Sequence, residues 1–298
     1  MPRLLHLDSS ARTQSHTREL GARFAARWRE ARPDGDYVYR DLARQPVPVI
    51  GEAWTSICDT LLAEQITDPG DYPCAVRTPA EREAWAIAEP LLNELLEADV
   101  VLVGAPMYNF GIPAALKAWI DKVTFPRMSL TGTSFVVVGA RGGSYAEGAP
   151  RAPYEYQESY LRDFIAGHFG IDDVRFLTTE LVNALVDPLL SDLLGTHRAS
   201  RAAALAEIVW SQSIKPTDGF TRLGPTVVCV LLGASAVYLL ARAMQTVPVG
   251  TAYAVFTGIG AVGAVSLGVV VHGDPVSPGR IAALALIVAG VVAARVTV

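Results

Sequence analysis

Apolar residues follow two regimes along the chain. Up to about residue 222 they come in short runs and amphipathic stretches; beyond it they are nearly continuous. In the first regime RLLHL (3–7) reads as a short strand. The polar DSSARTQSHT follows as a loop, and RELGARFAARWREA carries the 3.6-residue apolar rhythm of a helix. DYVYRDL (36–42) alternates like a strand, and residues 43–78 are Pro- and Asp-rich and read as an irregular excursion. TPAEREAWAIAEPLLNELLEA (78–98) is a helix with Thr78 as N-cap, Pro79 at the first position and Glu81 closing a capping box. DVVLVGAP (99–106) and TSFVVVGA (133–140) are apolar enough throughout to be strands buried on both faces. A helix starts at Pro113, another ends at Gly170, DVRFLTTE is a fifth strand, and GTHRASRAAALAEIVW is a last helix.

Strands separated by helices predict a parallel sheet with right-handed crossovers. Five of them fit an α/β fold of flavodoxin-like order, 2-1-3-4-5. The second regime predicts something else. Residues 223–241 and 243–273 are uncharged, and 281–298 carry only Arg295. About 20 apolar residues span a bilayer, so these are three candidate transmembrane helices. The alternative of buried helices in a soluble bundle would need polar outer faces, which these stretches lack.

Charge sharpens the division. Only Arg242, Asp274, Arg280 and Arg295 are charged after residue 222, which leaves 22 basic and 29 acidic residues before it. An acidic front part argues against nucleic acid as a partner. Cys58, Cys74 and Cys229 are odd in number and far apart, as expected of reduced thiols, and no spacing suggests a metal site. The expected organisation is a cytoplasmic α/β domain over 1–212 and a membrane segment over 213–298.

In the predicted topology the loops after strands one, three and four meet at one sheet edge, the first two flanking the switch point where such folds bind ligands. The first loop holds hydroxyls and no glycine, which at a helix N-terminus suits a terminal phosphate such as that of FMN. In the second, Met107, Tyr108 and Phe110 offer surfaces to a flat ring and Asn109 can hydrogen-bond its edge. In the third, Gly142 and Gly143 let backbone approach closely, and Arg141 adds positive charge near a reduced flavin. Each loop alone reads equally as an ordinary strand-to-helix connection. His6, His168 and His197 read as structural or exposed.

APMYNFGIPAALKAWID closely resembles the FMN-dependent NADH-azoreductases, flavodoxin-like NAD(P)H:quinone reductases, and LDSSARTQSHTREL and ARGGSY match that family's other FMN segments. The resemblance spans about 1–210, with Ala140 standing where relatives often carry Ser. It implies FMN contacts at Ser10, Ser15, His16, Thr17, Met107, Tyr108, Asn109, Phe110, Arg141, Gly142 and Gly143. It also implies NADH or NADPH as donor, a quinone or azo acceptor, ping-pong turnover without a catalytic side chain, and a homodimer. GFTRLGPT, PVGTAYAVFTGIGAVGAV and RIAALALIVAGVV resemble the small multidrug resistance transporters, nearest the guanidinium exporters, over about 205–298. That resemblance puts Glu207 at the proton-coupling carboxylate, with Trp210 nearby. The first half of that helix is THRASRAAA, where a transporter has an apolar run. The expected result is a reductase held at the inner membrane by its tail. The alternatives are a bifunctional exporter, a flavodoxin-type electron carrier and a fusion with a vestigial tail.

Overall fold

Side-chain parity along each strand decides which of two helical layers it feeds. In the computed structural model, which describes residues 1–146, 148–214 and 217–243, β1 (Arg3–Asp8), β2 (Asp36–Asp41), β3 (Val100–Pro106), β4 (Ser134–Ala140) and β5 (Val174–Thr179) form one sheet. Every pairing is parallel and the order is β2-β1-β3-β4-β5, as the helix-separated strands predict. Leu4, Leu102, Val136, Val138 and Leu177 turn to one face and pack against Leu20, Phe24 and Trp28 of α1 (His16–Ala31). Leu5, Leu7, Val101, Val103, Phe135 and Val137 turn to the other. There they meet Trp54 of α2 (Glu52–Ala63), Trp85 of α3 (Pro79–Leu96), Leu116 of α4 (Ala114–Val123) and Leu161 of α5 (Gln157–Phe169). Successive residues of a strand point to opposite faces, so a continuous apolar run serves both layers. A fully buried leucine such as Leu5 or Leu7 contributes about 2 kcal/mol.

The first face is closed by α6 (Leu194–Ser213), whose Leu205 packs beside Phe24 and Trp28's cluster while Arg201 pairs with Glu19 of α1 at 2.6 Å. The helix α1 lies so close to β1 that a Cβ on Gly21 would stand 2.7 Å from His6 Nε2.

Residues 43–78 are not wholly irregular. Trp54, Ile57, Cys58 and Leu61 are buried along α2 at helical spacing, and a 3-10 helix follows over Pro69–Ala75. The capping box at the start of α3 forms as expected. The Thr78 hydroxyl accepts from Glu81 N, and the Glu81 carboxylate accepts from Thr78 N, from Arg77 N and from the Ser56 hydroxyl of α2. Two neighbouring helices of one layer are thereby pinned by one carboxylate.

The chain divides into two compact units, Met1–Ala236 and Val237–Val298. Of the three stretches expected to span a membrane, the first coincides with α7 (Leu223–Ala243), on which Val227, Val228, Val230 and Leu231 are exposed. The other two lie outside the described residues. Among the described residues no helix is long and apolar enough to cross a membrane.

Thr78→Ala removes the cap and should cost about 1 kcal/mol, read as a lower urea midpoint of tryptophan fluorescence. The hydrogen bond from Thr78 N, then those from Ser56 and Arg77, hold the Glu81 carboxyl down at about 2. Its contribution is therefore complete above the ordinary carboxylate range and lost as pH falls through about 2. The deficit of Glu81→Gln should shrink correspondingly in acid.

Candidate functional site

The loop after β1 is held from beneath by a single guanidinium. Arg18 of α1 donates from Nε to the Arg12 carbonyl and from NH2 to the Ser10 carbonyl. Arg18 also forms a bidentate pair with Asp41 of β2, at 2.8 and 2.9 Å, and donates to the Tyr39 hydroxyl at 3.0 Å. It also lies 3.4 Å from Asp8 Oδ2, which accepts from the Tyr39 hydroxyl at 2.8 Å. The hydrogen-bonded pair with Asp41 raises the Arg18 pKa. Ser9 Oγ donates to the Gly104 carbonyl of β3 at 2.6 Å, fixing the other side of the loop.

Ser15 is the extended N-cap of α1, yet its hydroxyl makes no cap bond and instead meets Thr17 Oγ1 at 2.9 Å. The N–H groups of His16, Thr17 and Arg18 have no protein acceptor among the described residues. A helix N-terminus with free donors carries partial positive charge.

The loop after β3 makes a tight turn. Tyr108 and Gly111 exchange backbone hydrogen bonds of 3.0 and 3.1 Å across Asn109 and Phe110, which have φ of 50° and 68°. Both turn residues therefore sit in the left-handed region, a pattern that asparagine tolerates and a bulky aromatic does not favour. Such strain persists where surrounding structure holds it, and it concentrates at functional sites. The result is a half-exposed Phe110 ring, 5.3 Å from the Tyr154 ring. The Tyr108 hydroxyl crosses to the first loop, accepting from Ala11 N at 3.2 Å.

Around these loops lies a cleft of about 460 Å³. Of the residues proposed from sequence, Ser10, Ser15, His16, Met107, Tyr108, Asn109, Phe110 and Gly142 line it. Thr17, Arg141 and Gly143 do not. Thr17 is fully buried behind Ser15, and Arg151 packs over Gly143. The Arg141 guanidinium is turned into the protein, where Glu155, Glu158 and Glu180 lie within 3.6 Å. Three carboxylates neutralise the charge that sequence reasoning gave to the cleft. Among the described residues, the cations that line it are Arg12 and Arg151. His16 is held below its ordinary pKa by burial first, then by His197 and Arg201, and is neutral at pH 7.

A wall that sequence reasoning missed comes from the loop after β5. Val182 N and Asn183 N donate to the carbonyls of Arg141 and Gly142, bringing Val182, Asn183, Leu185 and Val186 into the lining. The Asn183 side chain passes so close to Gly142 that an added Cβ would stand 2.6 Å from it. The signal available was polar Asn183 inside an otherwise apolar LVNALV, beyond a strand end at the same sheet edge.

The family model described as "Flavodoxin-like fold" matches residues 2–192. The FMN-dependent NADH:quinone oxidoreductase of Nocardia farcinica is 58% identical over 205 residues, covering 69% of this chain and 95% of that one. The chain belongs to the FMN-dependent NADH:quinone oxidoreductase family. A second such oxidoreductase, from Streptomyces avermitilis, is 40% identical over 214 residues, 68% of this chain and 92% of its own. The crystal structure of an azoreductase from Bacillus anthracis is similar over 71% of this chain and 99% of that one, with a TM-score of 0.56 and 25% identity. The quinone oxidoreductase relatives thus account for the front of the chain. Residues 201–287 match the model described as "Small Multidrug Resistance protein", and α6 falls across the junction.

Arg18 is the residue whose loss this oxidoreductase should tolerate least outside its core. Arg18→Gln leaves Asp41 and Asp8 without their cation and should destabilise the fold by about 3 kcal/mol, measured as the shift in chemical unfolding midpoint.

Proposed function

We propose that the front part, 1–212, binds FMN and uses NADH or NADPH to reduce quinones or azo compounds. The tail, 213–298, tethers it to the membrane with the reductase on the cytoplasmic side. The observation that carries the first half is the set of unused donors. The first-turn amides of His16, Thr17 and Arg18 have no protein acceptor among the described residues, and Ser15 and His16 line the cleft beside Ser10. The chemistry of that set fits a phosphate monoester. Toward the rest of the cleft, Met107, Phe110 and Tyr145 supply apolar surface and Asn109 and Asn183 supply amides, which fits a planar heterocycle. A volume of about 460 Å³ is in the range of small-molecule sites.

FMN, when bound, supplies the hydride chemistry between donor and acceptor. The chain's own residues bind and orient. Arg12 and Arg151 give the cleft positive charge, which suits an anionic cofactor and an anionic donor. Neutral His16 donates or accepts a hydrogen bond without adding charge. One cleft serves donor and acceptor in turn, the arrangement of a ping-pong enzyme. Leu185, Val186 and Leu189 are exposed apolar residues close by, and they support a second copy of the chain covering that side as a homodimer.

The purified chain should be yellow, release FMN and not FAD on acid treatment, and reduce a soluble quinone at the expense of NADH. Asn109→Ala should weaken FMN binding about tenfold, the scale of one lost hydrogen bond. FAD in the extract, or unchanged binding and rate in the variant, would remove the assignment.

The tail reading rests on the family match over 201–287 and on the apolar composition of that segment. A second reading, export of guanidinium-like or quaternary cations through Glu207, draws on the same match. Against it stand Arg201, paired with Glu19, and Leu205, packed on the reductase cluster within three residues of Glu207. The Glu207 side chain lies outside the described residues, and Trp210 is at the surface beside Gly233. An arginine deep in a bilayer costs about 2.5–3.5 kcal/mol on insertion scales. We read Glu207 as lying outside the hydrocarbon. Proteoliposomes of the wild type should show no proton-coupled guanidinium uptake that Glu207→Gln abolishes; such uptake would make the protein bifunctional.

A further inference from the structure

Both loops that flank the cleft rest on the same buried histidine. His197 of α6 is 2% exposed and reaches the Glu180 carbonyl with Nδ1 at 2.8 Å. A carbonyl only accepts, so Nδ1 carries the proton. One turn on, the Ser200 hydroxyl accepts from Glu180 N at 3.0 Å. α6 therefore grips both backbone groups of Glu180. The Glu180 carboxylate in turn accepts from Ser144 Oγ at 2.7 Å and Tyr145 N at 2.9 Å and lies 3.6 Å from Arg141. Those bonds hold the segment after β4, of which Gly142 and Tyr145 line the cleft. The other face of the His197 ring meets His16, edge to face, with centroids 5.8 Å apart. His16 lines the cleft beside the free amides of the first turn of α1.

We infer that His197 is a positioning residue for the cofactor cleft, setting the segment after β4 through Glu180 and the start of α1 through His16. His197 does not itself line the cleft, and it acts through Glu180 and His16. The inference rests on the FMN reading above. It has a consequence particular to this chain: α6 runs on into residues that match the small multidrug resistance family. Whatever displaces α6 at its C-terminal side is transmitted to both walls of the cleft by two hydrogen bonds and one ring contact.

The test is the FMN dissociation constant of the full chain in detergent, stripped of flavin and titrated by fluorescence quenching, beside the melting temperature of the apo form. His197→Ala should raise the constant about tenfold, the scale of one hydrogen bond lost from a fixed loop. His197→Asn, whose amide replaces Nδ1–H, should recover most of that. Ser200→Ala, at a half-exposed site, should raise it about threefold. Two results overturn the inference: His197→Ala and Ser200→Ala both within twofold of wild type, or His197→Asn as weak as His197→Ala, which would make the effect one of volume. If His197→Ala does not fold, Ser200→Ala decides alone. A wild type that takes up no FMN removes the cofactor reading and this one with it; a wild type that binds beside unaffected variants removes only this one.

Discussion

The Arg18 guanidinium is the interaction on which the cleft depends. It stands almost buried between β2 and the loop after β1, and each of its three nitrogens is committed: Nε to the Arg12 carbonyl, NH1 to Asp41, Tyr39 and Asp8, NH2 to Ser10 and Asp41. Removing a cation from water is costly unless geometry and hydrogen bonding are complete; here they are. The functional consequence is electrostatic. Carbonyl oxygens are the groups of a loop that repel an anion, and those of Ser10 and Arg12 are engaged by Arg18. The adjoining first-turn amides of α1 have no protein acceptor among the described residues. A single side chain has thus taken up the acceptors of a loop without glycine, which leaves its donors to face the cleft.

The rest of the site is built by pairwise bracing across the sheet edge. Tyr108 spans from the β3 loop to the β1 loop, Glu180 holds the β4 loop from the end of β5, and His197 and Ser200 hold Glu180. Each brace joins elements far apart in sequence, so the cleft exists only once the sheet has formed in its full order. The left-handed φ values at Asn109 and Phe110 fit this picture. A strained turn is retained where its ends are fixed, and the reciprocal bonds of Tyr108 and Gly111 fix them.

What could be read from sequence follows from whether a signal is local. Five strands and their order were legible because runs such as VVLVGAP admit one reading at that length, and Thr78 with Glu81 marked a helix start that the structure reproduces. The helix α2 was hidden, although Trp54, Ile57, Cys58 and Leu61 have helical spacing, because Pro46, Pro48, Pro69 and Pro73 punctuate its flanks. The candidate site divides in the same way. Residues of the first two loops line the cleft where expected because backbone at a strand end has little freedom. Arg141 was misread because the direction of a long side chain is set by partners at 155, 158 and 180, which no local pattern announces. The lining role of Asn183 was invisible for the same reason, since it depends on pairing with carbonyls forty residues earlier.

α6 meets two demands that sequence reasoning treats as exclusive, and the structure separates them along its length. His197, Ser200, Arg201 and Leu205 all face the reductase, through polar contacts to Glu180, His16 and Glu19 and an apolar contact beside Phe24 and Trp28. They span barely more than two turns. A reductase uses those contacts to close its first face and to brace its cleft. A membrane segment, conversely, cannot use His197, Arg198 and Arg201, because their desolvation opposes insertion. The two families meet in the matches at residues 192 and 201, inside or beside this same helix. A junction there keeps His197, Ser200, Arg201 and Leu205 with the reductase, and the nearly uncharged composition begins only after residue 222.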